Sequence, residues 1–242
     1  MVAAAAWRTA CDIASGVLDL LYPPYCLVCN TLGEEIICPI CADSLITPVP
    51  PPYCLRCGQI QNGAECTKCV DYPRELIRCR AVGVYSGSLA DLLHQLKYRD
   101  RPMLAGPLSA FMDDYLKVRA EIMNDLHFDA IVPVPLHKSR KKKRGYNQSQ
   151  LLAEELGKRL GIQVEARALT RVRNTKSQVG KKRAERLDNL ENAFLADRRK
   201  CHGKTYLLLD DVSTTGSTLR ECAKALREAG ATKIYAITMA AG

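Results

Sequence analysis

The sequence has few aromatic residues, few histidines and no long apolar run. Aromatic residues make up 6% of the 242 positions, so we expect a core of aliphatic side chains. No run of about 18 apolar residues occurs, which argues against a membrane-spanning helix. The alanine-rich N-terminus lacks a basic start, and Asp12 and Asp19 interrupt it. We therefore expect no signal peptide, no membrane insertion and a cytoplasmic location.

Basic charge is abundant but unevenly distributed along the chain, whose net charge is +9. Residues 1–72 carry three basic and seven acidic side chains, a net charge of −4, which leaves +13 for the remaining residues. This asymmetry predicts that the part of the chain after residue 72 binds a polyanion, such as nucleic acid, a membrane surface or a phosphorylated ligand. A basic surface that only keeps the protein in solution is the alternative.

Eight of the twelve cysteines form four C-x-x-C pairs: Cys26/Cys29, Cys38/Cys41, Cys54/Cys57 and Cys66/Cys69. Eight residues separate the first pair from the second, and eight separate the third from the fourth. Four thiolates satisfy a tetrahedral zinc ion, so this spacing predicts two structural four-cysteine zinc ribbons rather than disulfides or an iron–sulfur cluster. Sequential and crossed pairings both remain open. The other four cysteines are expected to be small buried hydrophobes: Cys11, Cys79, Cys201 and Cys222.

Strands and helices alternate after about residue 73. The predicted strands are Arg80–Tyr85, Ala130–Val134, Tyr206–Leu209 and Lys233–Met239. The predicted helices begin at Ser88, cover about 103–120 and 151–160, and occupy Ser217–Ala229. Such alternation predicts a mostly parallel sheet covered by helices on both faces. Helical spacing also predicts a short helix over residues 3–21.

An apolar strand ends in Asp210 and Asp211, and a loop of hydroxyl side chains and glycine follows it. The loop consists of Val212, Ser213, Thr214, Thr215, Gly216, Ser217 and Thr218. In open α/β sheets ligands bind where strands end, and a helix N-terminus offers N–H groups to a phosphate. Carboxylates accept hydrogen bonds from ribose hydroxyls and can bind Mg²⁺. The segment therefore predicts a site for a ligand with a 5′-phosphate, a ribose and a metal-bound pyrophosphate.

A strongly basic run follows the strand predicted at Ala130–Val134. Six of the seven residues of 138–144 are basic, which is more than one pyrophosphate requires. We interpret the run as a loop that binds a longer polyanion such as nucleic acid, with marked salt dependence. The candidate contacts are Lys138, Arg140, Lys141, Lys142 and Lys143. A solvated basic loop is the alternative.

The stretch from 171 to 194 is polar, basic and weakly periodic. These properties are typical of a mobile lid, or hood, over an anionic ligand. The candidate hood and anion-binding residues are Arg144, Arg171, Thr175, Gln178 and Arg186. A surface helix is the alternative interpretation for this stretch.

Several motifs occur together from about residue 20 to the C-terminus. They are V-P-V-P-L-H at 132–137, R-G-Y-N-Q at 144–148, T-x-x-Q at 175–178 and D-D-V-S-T-T-G-S-T at 210–218. The last resembles the motif that binds phosphoribosyl pyrophosphate (PRPP) in type I phosphoribosyltransferases. Together with the paired ribbons, the pattern resembles the ComF family of competence-associated proteins.

The resemblance implies a type I phosphoribosyltransferase sheet of about five strands with a hood, preceded by a double zinc ribbon. Together with the change of sequence pattern after about residue 73, it divides the chain into an N-terminal helix and double zinc-ribbon module over residues 1–72 and a phosphoribosyltransferase-type domain over residues 73–242. It implies that the loop from Thr214 to Thr218 holds the 5′-phosphate and that Asp210 and Asp211 bind the ribose hydroxyls. The segment after the second predicted strand would hold the pyrophosphate with Mg²⁺, through Pro135, Leu136 and His137.

Two functions are compatible with this resemblance. The first is a PRPP-binding protein of DNA uptake that binds single-stranded DNA and partners in the uptake machinery, with Tyr98 and Tyr146 as candidates for base stacking. The second is an active phosphoribosyltransferase with an unidentified nucleobase-like acceptor. In that case Asp210 and Asp211 are catalytic, because they stabilise an oxocarbenium-like state.

Overall fold

The computed structural model describes residues 23–54, 56–58, 66, 69, 76–119, 127–173 and 192–242. The chain divides into two compact units, Met1–Leu45 and Ile46–Gly242. The helix predicted over residues 3–21 and the boundary predicted between residues 72 and 73 lie outside the described residues. Within the part that is described, no helix combines the length and the apolarity needed to cross a bilayer.

The described part of the first unit is a small turn-rich fold. Tyr25 and Leu32 form an antiparallel bridge, and the N–H of Cys26 donates to the carbonyl of Thr31 at 2.9 Å. A short helix, α1 (Pro39–Leu45), follows. The chain thereby turns back on itself within about ten residues, which suits a module too small for a large core.

A parallel sheet forms the centre of the second unit. The described residues of this unit contain six strands: β1 (Leu76–Val84), β2 (Ala130–Pro133), β3 (Leu169–Arg171), β4 (Phe194–Ala196), β5 (Thr205–Ser213) and β6 (Lys233–Ala241). Four of them form the parallel sheet in the order β1-β6-β5-β2, while β3 and β4 form a separate antiparallel pair. A parallel bridge between Ile131 and Val164 extends the sheet beyond β2. The predicted α/β class is confirmed, with the fifth strand reduced to this bridge.

Helices connect the strands and cover the sheet. They are α2 (Gly87–Tyr98), α3 (Ala105–Val118), α4 (Lys138–Arg144), α5 (Gln148–Leu160), α6 (Arg198–Cys201) and α7 (Ser217–Glu228), with a 3₁₀ turn at Pro102–Leu104. The helix expected to begin at Ser88 begins at Gly87, because Ser86 is still extended with φ −152°. As expected, α5 ends where Gly161 adopts a left-handed conformation with φ 67°.

The core is aliphatic, as the scarcity of aromatic residues predicts. The four leucines of α2 at the spacing i, i+3, i+4 and i+7 are all buried: Leu89, Leu92, Leu93 and Leu96. Each fully buried leucine stabilises the fold by about 1.5–3 kcal/mol relative to an exposed one.

Three of the cysteines outside the C-x-x-C pairs belong to the interior of the second unit. Cys79, Cys201 and Cys222 are buried, which confirms their interpretation as small hydrophobes. Cys11 lies outside the described residues, so the same interpretation stays a prediction for it.

The segment that carries the third C-x-x-C pair runs along β1. The N–H of Cys79 donates to the carbonyl of Arg56 at 2.8 Å, and the N–H of Val84 donates to the carbonyl of Thr47 at 2.8 Å. Both cysteines of that pair belong to the same hydrophobic cluster as the strand. This part of the ribbon region is therefore built into the second unit.

Candidate functional site

The eight paired cysteines come together in two groups. The groups are Cys26, Cys29, Cys38 and Cys41, and Cys54, Cys57, Cys66 and Cys69. Within each group the four sulfur atoms lie within 4.8 Å of one another. The sequential pairing is therefore confirmed, and the crossed pairing that the spacing left open is not adopted.

The sulfur geometry fits one tetrahedral ion in each group. The Sγ–Sγ distance is 3.8 Å between Cys29 and Cys38 and 3.4 Å between Cys54 and Cys69. Zinc–sulfur bonds of about 2.3 Å place tetrahedral ligands about 3.8 Å apart. None of these eight cysteines forms a disulfide bond. Each group therefore offers a closed four-thiolate site consistent with structural zinc.

Backbone N–H groups favour the thiolate form that a metal requires. Sγ of Cys26 accepts from the N–H of Val28 at 3.4 Å and from that of Cys38 at 3.3 Å. Burial raises the pKa of Cys26, but the N–H donors outweigh it and lower the pKa to about 6. Burial likewise raises the pKa of Cys54, but hydrogen bonds from backbone N–H groups, with that of Cys57 as the strongest, lower it to about 7. One ligand in each group is thus prepared for metal binding.

The two acids lie side by side in a buried polar cluster near the end of β5. Asp210 is 8% exposed and Asp211 is 4% exposed. The hydroxyl of Ser149 donates to Oδ1 of Asp210 at 2.8 Å, and Nε2 of Gln148 donates to Oδ1 of Asp211 at 3.5 Å. Nζ of Lys97, from the last turn of α2, forms an ion pair with Asp211. Three separate elements therefore meet at the acid pair.

The cluster holds two carboxylates and one close ammonium group. Burial, together with the neighbouring carboxylate of Asp211, raises the pKa of Asp210. Burial alone would lower the pKa of Lys97, but its attraction to Asp211 raises it overall. Lys97 is therefore held in its charged form beside the acids, and the raised pKa of Asp210 means that its carboxyl keeps a proton at higher pH than an ordinary aspartate does.

The hydroxyl-rich segment is split between the strand and the loop. The sequence places the end of the strand at Leu209, whereas β5 continues to Ser213 and includes Val212. Gly216 is the N-cap residue of α7 and adopts φ 73°. The hydroxyls of Thr215 and Ser217, on either side of it, are 2.7 Å apart. The strand is longer because β6 continues to pair with β5 as far as Ser213, beyond Leu209, where the pairing with β2 ends.

The turn from β5 into α7 gathers four hydroxyl candidates around a glycine: Thr214, Thr215, Gly216, Ser217 and Thr218. Thr214 is exposed, while Thr218 is half-buried. Glycine suits the left-handed conformation at Gly216, where a side chain would be strained. Hydroxyls and first-turn N–H groups lie at the same end of α7, which is the chemistry that phosphate oxygens require.

The segment after β2 lies next to β5. The N–H of Val134 donates to the carbonyl of Leu209, and Nδ2 of Asn147 donates to the carbonyl of Val134 at 3.0 Å. The three candidates that follow are half-buried: Pro135, Leu136 and His137. Because β2 and β5 are parallel neighbours, this segment and the acid pair both lie at the carboxyl ends of the strands.

The basic run at 138–144 is a helix, so its interpretation as a loop was wrong. The ring of His137 accepts from the N–H of Ser139 and caps α4, and Gly145, with φ 86°, ends it. Lysine and arginine are good helix formers, so propensity and capping outweigh the repulsion of like charges. All five nucleic-acid candidates are on α4: Lys138, Arg140, Lys141, Lys142 and Lys143.

An open cleft of about 640 Å³ lies between α4 and the end of α2. Its lining includes Lys97, Tyr98, Arg140, Lys142, Lys143 and Arg144. Tyr98 is 63% exposed, and the guanidinium of Arg144 lies 5.1 Å from its ring centroid. The hydroxyl of Tyr146, in contrast, donates to the carbonyl of Leu96 at 2.6 Å. Of the two tyrosines, Tyr98 thus presents a ring to the cleft, and Tyr146 anchors α2.

The acid pair and the cleft share a hydrogen-bonded connection. Arg144 donates to Gln148, whose amide in turn donates to Asp211. Sequence reasoning missed Lys97, Gln148 and Ser149 as members of the site. Gln148 lies in the R-G-Y-N-Q motif, which was a usable signal, but the burial of a lysine beside leucines cannot be seen in the sequence.

The hood candidates are only partly described. Thr175, Gln178 and Arg186 lie outside the described residues. Arg171 is 8% exposed in β3, and its guanidinium lies 5.3 Å from the ring centroid of Phe194. Burial and the charge of Arg140 lower the pKa of Arg171. Anion binding by these four residues stays a prediction.

Two family models match separate parts of the chain. A double zinc ribbon domain matches residues 17–71, and a phosphoribosyl transferase domain matches residues 126–242. The first match contains all eight paired cysteines. The second contains β2 to β6, the acid pair and α4.

Curated relatives match most of the chain. DNA utilization protein YhgH of Escherichia coli is 34% identical over 219 residues, which are 89% of this chain and 96% of the relative. Competence protein F of Haemophilus influenzae is 36% identical over 63% of this chain and 68% of the relative. Competence protein ComFC of Bacillus subtilis is 34% identical over 62% of this chain and 58% of the relative.

Proposed function

Because the chain belongs to the ComF family of competence-associated proteins, we propose that it binds PRPP with Mg²⁺ and single-stranded DNA in the service of DNA uptake. The names of its relatives refer to DNA utilization and competence, and its second part matches a phosphoribosyl transferase domain. Such a role brings the protein into contact with partners of the uptake machinery.

The observation that carries the PRPP proposal is the buried acid pair followed directly by a hydroxyl-rich turn into α7. In this proposal Asp210 and Asp211 accept hydrogen bonds from the ribose hydroxyls. The segment from Thr214 to Thr218 holds the 5′-phosphate. The connection from β2 to α4, which contains His137, faces the pyrophosphate and its Mg²⁺, since it also lies at the carboxyl ends of the strands.

The DNA proposal rests on the cleft beside α4. Backbone phosphates bind cationic grooves without regard to sequence, and exposed aromatic rings stack on bases. The cleft combines both chemistries, since Tyr98 projects among the basic side chains of α4. A groove with a single aromatic ring suits short, sequence-tolerant contacts with a single strand rather than readout of base pairs.

Calorimetry with PRPP and Mg²⁺ tests the ligand site, with Asp211→Asn as the variant and Asp114→Asn as the control. Asp114 is exposed on α3, where its side chain is 73% exposed. The proposal expects a loss of PRPP affinity on the order of tenfold or more in Asp211→Asn, because a hydrogen-bonded charge is removed. Unchanged affinity in that variant, or no PRPP binding by the unmodified protein, would refute the ligand assignment.

A second candidate function is phosphoribosyl transfer to an unidentified nucleobase-like acceptor. Carboxylates beside the ribose favour it, because they stabilise the positive charge that develops at C1′ as pyrophosphate leaves. Labelled PRPP incubated with a panel of bases and amines separates the two functions. Pyrophosphate release that requires both Asp210 and Asp211 supports the transferase, whereas binding without release supports the DNA-uptake protein.

A further inference from the structure

Lys97 is a half-buried cation at the end of a helix that otherwise packs through leucines. The residue before it, Leu96, is fully buried in the core. The side chain of Lys97 is 17% exposed and reaches the acid pair, where its ammonium group contacts Asp211. It also lines the cleft beside α4. The ammonium group therefore stands between the two carboxylates and the space in which a ligand would lie.

A ligand that binds to Asp210 and Asp211 would weaken the ion pair between Asp211 and the ammonium group of Lys97. A ribose hydroxyl that donates to Asp211 competes with Lys97 for Oδ2 of that residue, which the ammonium group now contacts. An ammonium group that is mostly removed from water and loses its partner is costly unless another anion replaces it. On the ribose, C1′ is the neighbour of the carbon that carries the 2′-hydroxyl. An anionic substituent at C1′ is therefore the ligand group best placed to pair with Lys97.

We propose that Lys97 determines which phosphoribosyl ligands the site accepts, by pairing with an anionic group at C1′ of the ribose. The inference rests on the proposed function, because it assumes that the acid pair binds ribose hydroxyls. The site then favours PRPP, which carries a pyrophosphate at C1′, over ribose 5-phosphate, which carries a hydroxyl there. The hydroxyl-rich turn and the carboxylates serve both ligands equally.

The test compares the two ligands on each variant by calorimetry at a fixed Mg²⁺ concentration. The proteins compared are the unmodified protein, Lys97→Met, Lys97→Arg and the matched control Lys117→Met. Lys117 is a suitable control because it also pairs with a buried aspartate, Asp113, at 2.7 Å but does not line the cleft. The ratio of the two affinities is measured within one variant, so a change in the folded fraction cancels.

We expect Lys97→Met to weaken PRPP binding on the order of ten- to a hundredfold, the usual effect of losing one charge-assisted hydrogen bond. Ribose 5-phosphate should lose less than about threefold, the scatter typical of such effects. Lys97→Arg should restore part of the preference, and Lys117→Met should not change it. Equal losses for both ligands, or an unchanged preference, would overturn the role of Lys97 while leaving the PRPP site intact. Absence of PRPP binding in the unmodified protein would overturn the proposed function and this inference together.

Discussion

Neutralising two lysines of α4 should weaken the salt dependence of DNA binding by a calculable amount. The cleft is lined by four cations of this helix: Arg140, Lys142, Lys143 and Arg144. If each releases one counterion from a single strand, the slope of log affinity against log salt is about −2.8. Affinity then falls about 50-fold between 50 and 200 mM salt.

The double variant Lys142→Gln, Lys143→Gln removes half of these cations. Its slope should be about −1.4, so the same change of salt costs about sevenfold in affinity. Fluorescence anisotropy with a labelled oligonucleotide across a salt series measures both slopes. Arg198→Gln, Arg199→Gln is the matched control, because it removes two exposed cations from α6 instead.

Two results would refute the assignment of α4 to DNA. Equal slopes for the double variant and the unmodified protein would mean that the lysines are solvated charges without phosphate contacts. An equal decrease in the control would mean that the effect comes from net charge rather than from the cleft.

Three further predictions concern the ring, the acids and the metal sites. Tyr98→Ala should reduce single-strand affinity on the order of tenfold or more, the value of one lost base stack, and Tyr98→Phe should retain it in the same anisotropy assay. Because the pKa of Asp210 is raised on folding, the protonated form favours the folded state, so this contribution to stability is lost as pH rises above the ordinary carboxyl value. Asp210→Asn should remove this pH dependence in urea unfolding between about pH 5 and pH 8; an unchanged profile would contradict the raised pKa. Cys57→Ser should lower both the zinc content and the Tm of the second unit, since Cys57 is buried in its core, whereas Cys29→Ser should lower the zinc content alone.

The sequence predicted the features that depend on local spacing. The eight-residue gap that recurs within each half of the four C-x-x-C pairs limits which thiols can reach one ion, and the leucine spacing of α2 determines its buried face. Alternating strands and helices indicated the parallel sheet. These signals succeed because each depends on residues a few positions apart.

Long-range contacts could not be predicted in the same way. The ion pair between Lys97 and Asp211 joins residues more than a hundred positions apart, and no local pattern marks such a lysine as buried. The basic run was interpreted as a loop because its charges suggested solvent exposure, although exposure and helix formation are compatible in α4. The extent of β5 was underestimated because its acids are polar, whereas pairing with β6 keeps them in the strand.

The position of the ribbon segment along β1 has a consequence for association. β1 lies at one edge of the sheet, where free N–H groups invite pairing with a strand of another chain. The bonds from Cys79 to Arg56 and from Val84 to Thr47 occupy N–H groups of this strand that β6 does not use. At the opposite edge, Val164 pairs with Ile131 of β2. Among the described residues, each border strand of the sheet is thus partly covered by the protein's own chain, which opposes edge-to-edge aggregation.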